Sequence, residues 1–446
     1  MSQSITLFNA SVPLRNNGQL YSITIRDGVY QQVKEQTGYV KCEGLSFQEL
    51  ENNFSQAMDV DLEGRIVLPS FVDIHTHLDK AYSLKEVPNK SGTLLEAIEN
   101  YHQKAHTFTP EMIKRRVYRQ ALESLSYGTT HIRTHVNFEM NISPKLALDK
   151  LAAVIEVKEA LRDLLTIQIV PMLSDVASYT KEQYAVIQQA MELGIDGIGG
   201  APHLRANPEE NIDALIRLAV ENEKFLDLHV DENDDPAVCT IETLIEKTIA
   251  YDMQGQVTAG HLCSLAAMNH EKAARLIEGM AEASIHAVTL PGANMYLQGR
   301  FDQGVIRRGV TRIKELINGG VTIATASDNV HDPFHPFGRG DLVQIGLLTA
   351  YAGHLASEAE LLHLLRMMTT IPGSIFGLEH EIKEGAVADL VVIDSVDMYD
   401  LFASMAPTRY LFTKNRWLNG FKTVRMMNDP FLQEAWRSLT ATSIKI

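Results

Sequence analysis

The chain has 446 residues, a formal net charge of −16 at pH 7, 45% hydrophobic residues and 22% charged residues, which is typical of a folded globular protein. This composition excludes a disordered or fibrous chain, and the length allows one large α/β barrel with a smaller unit attached. The acidic balance argues against a nucleic-acid-binding protein, because such a protein needs a basic surface to displace phosphate counterions.

The cysteines and the hydropathy pattern indicate the compartment. Cys42, Cys239 and Cys263 are widely spaced and form no Cys-x-x-Cys pair, so we predict neither a disulfide framework nor a thiolate zinc site. The sequence contains no signal-peptide pattern and no apolar run of membrane-spanning length. We therefore predict a cytoplasmic protein that does not bind membranes.

The two ends of the chain share a β-rich pattern. Short runs of β-forming residues, with a turn signal at Asp27-Gly28, predict a small antiparallel sheet before residue 69 and again after residue 380. The runs are Ile5–Phe8, Tyr21–Ile25, Gly64–Leu68, Ile382–Ile393 and Thr408–Phe412. Because domain termini often lie close together, we predict that residues 1–68 and 381–446 form one discontinuous β-sandwich subdomain.

The segment between these ends, residues 69–380, alternates amphipathic helical stretches with β-branched runs. Eight strands are predicted: the segment leading into His75, then Thr129–Val136, Leu165–Val170, Ile195–Gly200, Phe225–Val230, Val257–His261, Ser284–Val288 and Val321–Ala326. This number of alternating units predicts a parallel (β/α)8 TIM barrel. The alternative is an open doubly wound sheet, which is disfavoured because no Gly-x-Gly-x-x-Gly follows the first strand.

Ionisable residues stand at the ends of four predicted strands, where barrel enzymes carry their reactive groups. Imidazoles together with a carboxylate suit zinc or ferrous iron. Any one histidine taken alone is more often structural, but the shared position at strand ends argues against chance. The helical histidines His102, His270 and His363 lack that position, and we assign them to surfaces or helix packing. The four strand ends are His75-Thr-His77, His229-Val-Asp-Glu232, His261 and Ser327-Asp328-Asn329.

These motifs carry a family resemblance that covers residues 60–395. Pro69-x-Phe-Val-Asp-x-His-x-His-Leu-Asp79, followed in order by His229, His261 and Ser327-Asp328, resembles the amidohydrolase superfamily. Further motifs are similar to the cytosine deaminase group: His229-x-Asp-Glu232, Asn294-x-x-Leu-Gln-Gly-Arg-Phe-Asp302, Arg307-Arg-Gly309 and Asp332-Pro-Phe334.

The resemblance implies one divalent metal ion, Zn²⁺ or Fe²⁺, bound by His75, His77, His229 and Asp328. Relatives with two metals bridge them through a modified lysine at the end of the fourth strand. Here that strand ends in Gly199-Gly-Ala-Pro-His203 and offers no lysine, which favours a single ion.

The activity that the resemblance implies is hydrolytic deamination of a small aminated heterocycle, a cytosine-like pyrimidine or related ring. Asp328 accepts the proton of the metal-bound water, the resulting hydroxide attacks the ring, and ammonia leaves. Glu232 protonates the ring nitrogen and then the leaving amine, and His261 orients the hydroxide or stabilises the tetrahedral oxygen. The alternative for Glu232 is a solvated carboxylate in the acidic run Asp231–Asp235.

Four residues are predicted to contact the substrate. Gln298 lies in the Leu-Gln-Gly-Arg motif, where a structural role in the turn is an equal alternative. Ser174, Asn329 and Phe334 stand where the cytosine deaminase group carries a glutamine, a second aspartate and a tryptophan. Loss of the amide partner weakens discrimination among rings, so a substituted pyrimidine, a creatinine-like ring and an aminotriazine all remain open beside cytosine.

Two other functions are compatible with the sequence. Some relatives remove an alkylamine from an aminotriazine-like ring, and they resemble this chain in Asp79-Lys80 and Ser327-Asp-Asn329 but usually lack a counterpart of Glu232. The second is a non-catalytic ligand-binding barrel, against which the intact ligand set and Glu232 both count. In every case the predicted partner is a small heterocycle, and the resemblance also indicates a homo-oligomer.

Overall fold

The structure is a computed structural model, and it describes residues 4–53, 58–304, 306–405, 408–423 and 428–434. The chain divides into two compact units. The first comprises residues 1–70, 126–128 and 379–446, and the second comprises residues 71–125 and 129–378.

The first unit is built on a nine-stranded sheet drawn from both ends of the chain, which confirms a separate β-sheet region formed by the two termini. The strands are β1 (Ser4–Ser11), β2 (Leu20–Arg26), β3 (Val29–Gln36), β4 (Leu45–Ser46), β5 (Asp59–Asp61), β6 (Ile66–Pro69), β15 (Leu390–Ile393), β16 (Thr408–Thr413) and β17 (Arg416–Lys422). Their order is β17-β16-β15-β6-β1-β2-β3, and β5 pairs with both β1 and β4. Because β1 runs parallel to β5 and β6, the sheet is mixed and not antiparallel throughout as predicted. Two short helices accompany the sheet, α1 (Phe47–Asn53) and α14 (Met398–Ala403).

Alternation of side chains explains the core of this unit. Buried and partly exposed residues alternate along β1 and β2, so each strand turns one face inward. Leu7, Ile23, Leu390 and Phe412 are completely buried, and they belong to one apolar cluster to which both ends of the chain contribute. Burial of this shared cluster holds the two terminal segments together.

The second unit is the predicted TIM barrel. Its eight strands are parallel, and each pairs with its neighbours in chain order. Thr76 and Asp328 form a parallel bridge between the first and last strand ends, and the Asp328 N–H donates to the carbonyl of His75 at 2.9 Å. The strands are β7 (Phe71–Thr76), β8 (Thr129–Asn137), β9 (Thr166–Leu173), β10 (Gly197–Gly200), β11 (Phe225–Val230), β12 (Val257–His261), β13 (His286–Thr289) and β14 (Ile323–Thr325).

Twelve helices of the described chain accompany the barrel strands. They are α2 (Leu94–Lys104), α3 (Pro110–Ser126), α4 (Pro144–Leu161), α5 (Lys181–Leu193), α6 (Pro208–Glu221), α7 (Thr240–Ala250), α8 (His270–Glu282), α9 (Pro291–Leu297), α10 (Ile313–Asn318), α11 (Leu342–Gly353), α12 (Glu358–Met368) and α13 (Thr370–Phe376). Within the described residues, none of the helices is both long and apolar enough to cross a membrane.

Local capping explains why these helices begin and end where they do. Thr180 and Gln183 form a capping box at the start of α5, and Gly194 ends that helix with a φ of 99°, a left-handed conformation that favours glycine. Ser357 and Glu360 form a second capping box at α12. Such caps satisfy the free N–H groups of the first turn and thereby fix the residue at which each of these helices begins.

Candidate active site

The strand ends bring the four predicted metal ligands together. His75 and His77 are two residues apart at the end of β7 and therefore project to the same side. Nε2 of His77 lies 3.2 Å from Nε2 of His229, which is on β11. Oδ1 of Asp328, which follows β14, lies 3.3 Å from Nε2 of His77 and 3.7 Å from Nε2 of His75. One ligand atom from each of the four residues thus falls within 4.8 Å of the others.

The donor atoms fit a divalent metal ion. Among the described residues, Nε2 of His75 and both carboxylate oxygens of Asp328 are buried without a hydrogen-bond partner. Buried polar atoms of a folded protein normally have hydrogen-bond partners, so a cluster of buried nitrogen and oxygen atoms without such partners indicates that they bind something else, such as a metal ion. Atoms bound about 2.0–2.2 Å from one ion at tetrahedral angles lie about 3.3–3.6 Å apart, close to the separations observed here. The nitrogen and oxygen donor set suits zinc or iron.

Burial also keeps the imidazoles in the form that binds metals. The pKa values of His75, His77 and His229 lie well below the ordinary histidine value, first because the rings are desolvated and second because other cationic groups surround them. His77 is oriented by its Nδ1–H, which donates to the carbonyl of His135 at 3.0 Å. The remaining Nε2 lone pair of His77 therefore faces the cluster, as in metal-binding histidines.

A buried seam between β7 and β14 orients Asp328. The backbone N–H of Ser327 donates to Oδ1 of Asp73 at 3.0 Å, and its hydroxyl donates to Oδ2 at 2.5 Å. The Thr76 hydroxyl donates to the carbonyl of Asp328 at 2.8 Å. Asp328 has a φ of 57°, a strained left-handed conformation for a residue other than glycine. These hydrogen bonds hold the strained turn that directs the Asp328 carboxylate towards the three histidines.

Glu232 lies beside the cluster and is buried, with 6% of its surface exposed. This removes the alternative of a solvated loop carboxylate. Burial raises the pKa of Glu232 well above that of an ordinary glutamate, and the negative charge of Asp328 raises it further. The neighbouring Asp231 has a structural role, because its carboxylate accepts hydrogen bonds from the backbone N–H groups of Thr240 and Ile241 at the start of α7.

His261, the last residue of β12, completes this group. Its Nδ1 lies 3.6 Å from Oε1 of Glu232 and 2.9 Å from Nδ2 of Asn294. Burial lowers the pKa of His261 to about 3, so the ring is neutral. Asn294, which is buried on α9, fixes the ring orientation and was not predicted as a site residue. The sequence did contain a signal that could have identified Asn294, since this residue begins the motif that the chain shares with the cytosine deaminase group.

A second layer of buried polar side chains lies beneath the candidate ligands, and the sequence analysis did not predict it. His135 on β8 stacks against His75 with ring centroids 4.0 Å apart, and its Nε2 lies 3.5 Å from Oδ1 of Asp227. The other oxygen of Asp227 accepts a hydrogen bond from Arg133 at 2.8 Å. Burial raises the pKa of Asp227, but His135 and Arg133 together outweigh it, so the pKa falls below the ordinary value. Asp227 is thus a buried anion held by two partners, and its layer supports the ring of His75.

Asp227→Asn is expected to destabilise the fold. The substitution leaves the Arg133 guanidinium, which is 1% exposed, without its buried counter-ion. Removal of one partner of a buried ion pair lowers the free energy of unfolding by about 3–5 kcal/mol. The matched control is Asp149→Asn, which breaks the exposed Lys145–Asp149 pair and is expected to cost less than about 1 kcal/mol. Chemical denaturation measures both, and equal effects would contradict the assignment.

A cavity of about 240 Å³ opens beside these groups. His77, His229, Glu232, His261 and Asp328 all line it, so three of the four candidate ligands share one cavity with Glu232 and His261. The helical histidine His102 is exposed and lies at the edge of the same cavity, although the sequence pattern assigned it to a surface or helix-packing role.

The four predicted substrate-contacting residues differ in position. Ser174, Asn329 and Phe334 line the cavity. Gln298 is buried and is not among the lining residues; its Nε2 lies 3.5 Å from the backbone carbonyl of Glu232. Gln298 therefore lies next to Glu232, and its contact with a substrate stays a prediction.

Asp332 organises the loop that carries two of these lining residues. Its carboxylate accepts hydrogen bonds from the side-chain amide of Asn329 at 2.7 Å and from the backbone N–H of Phe334 at 2.9 Å. Lys80 and Glu139 also line the cavity, and neither was predicted as a site residue.

Comparison with known proteins agrees with this geometry. Residues 101–419 match the model of the amidohydrolase family. A pterin deaminase from Rhizobium rhizogenes is 32% identical over 345 residues, which are 75% of this chain and 76% of that protein. An N-isopropylammelide isopropyl amidohydrolase from a Pseudomonas species is 29% identical over 347 residues, 76% of this chain and 82% of that protein. The crystal structure of 5-methylcytosine deaminase from Klebsiella pneumoniae liganded with 5-fluorocytosine has a TM-score of 0.85 at 26% identity, covering 96% of this chain and 100% of that one.

Proposed function

The chain belongs to the amidohydrolase family, hydrolases that act on carbon–nitrogen bonds other than peptide bonds, and from this premise we propose that it is a metal-dependent hydrolytic deaminase of a small aminated heterocycle. One observation carries the proposal. Glu232 and His261 are buried beside the His75, His77, His229 and Asp328 cluster and line the same cavity. A binding protein has no need of a proton-transfer pair next to a metal site.

In this proposal, His75, His77, His229 and Asp328 hold one ion, Zn²⁺ or Fe²⁺. When bound, such an ion lowers the pKa of a water molecule and makes hydroxide available near neutral pH. A second group of possible ligands, His75, His135 and Asp227, is less suited to an ion, because it has three members instead of four and the charge of Asp227 is already paired with that of Arg133. The absence of a lysine at the end of β10 also favours a single ion.

The protein's own groups then move the protons. Asp328 accepts the proton of the attacking water on a carboxylate oxygen. Glu232, whose pKa burial raises, donates its proton to the ring nitrogen; it then takes the second proton of the attacking water and passes it to the leaving amine, and the proton on Asp328 returns to Glu232. Neutral His261 turns its Nε2, which has no partner among the described residues, towards the oxygen that becomes the new oxo group. The water oxygen bonds to the ring carbon, the carbon–nitrogen bond breaks, and ammonia leaves.

A second candidate function is hydrolysis of an alkylamine from an aminotriazine-like ring. The relative named for isopropyl amidohydrolysis of N-isopropylammelide favours it, as do Lys80 and Asn329, which line the cavity here. We rank it second because those relatives usually lack a counterpart of Glu232, which in this chain is buried and lines the cavity.

A screen of amine release is expected to identify the reaction. Zinc-loaded and iron-loaded enzyme are incubated with aminopyrimidines, aminotriazines, creatinine, pterins and alkylamino-triazines, and both ammonia and alkylamine are measured. We expect ammonia from at least one ring, with kcat/KM in the ordinary enzymatic range of about 10⁴–10⁸ M⁻¹s⁻¹. Release of alkylamine alone would establish the second candidate, and release of neither amine from any ring would overturn the proposal.

A further inference from the structure

Lys80 is a buried cation at the candidate site that the proposed mechanism does not use. It lies in the turn after β7, where its backbone N–H donates to the carbonyl of His77 at 3.3 Å and its carbonyl accepts from Ser83 at 3.2 Å. The residue is 4% exposed and lines the cavity. Two backbone hydrogen bonds thus hold Lys80 in a turn from which it lines the cavity.

The contacts of its ammonium group are aromatic. Nζ lies 4.6 Å from the ring centroid of Phe334 and 5.9 Å from that of Tyr101. No residue in the described part of the chain forms an ion pair or a hydrogen bond with it. Cation–π contacts recover less free energy than desolvation of an ammonium group costs. The rings therefore do not by themselves offset the burial of Lys80.

A second buried lysine in the same unit shows the difference. Lys150 is 1% exposed, and its Nζ lies 3.2 Å from a carboxylate oxygen of Glu139, so its charge has a direct partner. Lys80 has carboxylates nearby but is paired with none. Burial raises the pKa values of Asp79, Glu232 and Asp332, and the positive charge of Lys80 opposes the rise at each of them. General charge balance is thus the alternative role for Lys80, and an experiment has to separate it from ligand binding.

We propose that the ammonium group of Lys80 binds an exocyclic oxygen of the substrate ring, so that the enzyme selects amino-oxo heterocycles over rings that carry only amino groups. An ammonium group has three donors and no acceptor, and a carbonyl oxygen conjugated to the ring is a neutral acceptor that can take a charge-assisted hydrogen bond from it. A ring without that oxygen leaves the buried donors unpaired, which is the condition under which enzymes discriminate most sharply. The proposal rests on the proposed function, because it requires the ring to occupy this cavity.

The test compares Lys80→Met with Lys85→Met on matched pairs of rings. Lys85 is exposed on the same loop and receives the identical substitution. The pairs are cytosine with 4-aminopyrimidine, isocytosine with 2-aminopyrimidine, and pterin with 2-aminopteridine, each differing by one exocyclic oxygen. On the oxo member that the enzyme accepts, Lys80→Met is expected to lower kcat/KM about 100-fold, and on its partner by less than about threefold. Lys85→Met is expected to leave both unchanged.

An equal loss on both members of a pair would overturn the proposal in favour of charge balance, while leaving the proposed function intact. Metal content and thermal unfolding of each variant are measured alongside, and Lys80→Gln, whose uncharged side-chain amide keeps two N–H donors, is expected to retain part of the preference. If no ring is turned over, the proposed function fails, but calorimetric binding of 2-pyrimidinone against pyrimidine still decides the role of Lys80. Weaker binding of 2-pyrimidinone to Lys80→Met supports the proposal, and unchanged binding contradicts it.

Discussion

Glu232→Gln is expected to lower kcat about 10³-fold, within the range of 10²–10⁴ that general acid–base catalysis contributes. Glutamine keeps the size of the side chain and its hydrogen-bonding shape but cannot donate a proton to the ring nitrogen or pass one to the leaving amine. Because Glu232 is not among the proposed ligands, the bound metal is expected to stay at one ion per chain. Steady-state kinetics and metal analysis of the same sample measure both quantities.

The control for this experiment is Glu242→Gln, which makes the same change at an exposed position in the first turn of α7. Its turnover is expected to equal that of the unmodified enzyme. Activity of Glu232→Gln within a factor of about three of that control would contradict a proton-transfer role, because no other described carboxylate is both buried and 3.6 Å from His261. A loss of metal by Glu232→Gln would instead assign Glu232 to the ligand set.

His229→Ala is expected to abolish both metal binding and activity. It removes the imidazole whose Nε2 lies 3.2 Å from Nε2 of His77, so the ion loses one of its four candidate protein ligands and is held much more weakly. Since the metal lowers the pKa of water from 15.7 to about 7, its loss is expected to reduce kcat/KM by at least about 10³-fold. Metal analysis, and recovery of activity when zinc or iron is added after chelation, measure the effect.

His363→Ala is the matched control, because His363 lies on α12 and is not among the residues that line the cavity. It is expected to bind one ion and to regain activity after chelation like the unmodified protein. One ion per chain in purified His229→Ala would show that the metal is held elsewhere. Metal loss in both variants would indicate that the substitutions act through folding, which thermal unfolding distinguishes.

The barrel could be predicted from the sequence because each strand is a short apolar run that follows an amphipathic helix. Parallel strands are covered on both faces, so their β-branched runs stand out from the helical periodicity around them. The helices after the last strand were harder to predict. Leu342–Gly353 forms α11, but this segment is apolar on nearly all sides, so it has no polar face from which a helical period can be read.

The candidate ligands could be found for a related reason. A site at the carboxyl ends of barrel strands places each of its residues next to a strand boundary, and His77, His229 and Asp328 all stand there. His135 and Asp227 were missed because a polar side chain within a strand resembles any other buried polar residue until its partners are known. For Gln298, the motif position identified the residue without indicating which way its side chain points, and only the structure shows that its Nε2 lies 3.5 Å from the carbonyl of Glu232.

The sequence by itself indicated the barrel through the periodicity of its helices and strands, and the resemblance of its motifs to a known family indicated the candidate ligands. Only the tertiary structure decided which charges are paired. Lys80 and Lys150 are both ordinary lysines in the sequence, yet in the fold Lys150 contacts Glu139 whereas Lys80 faces the cavity between Phe334 and Tyr101. Pairing depends on residues far apart in the chain, and the free energy of a buried charge is set by those neighbours.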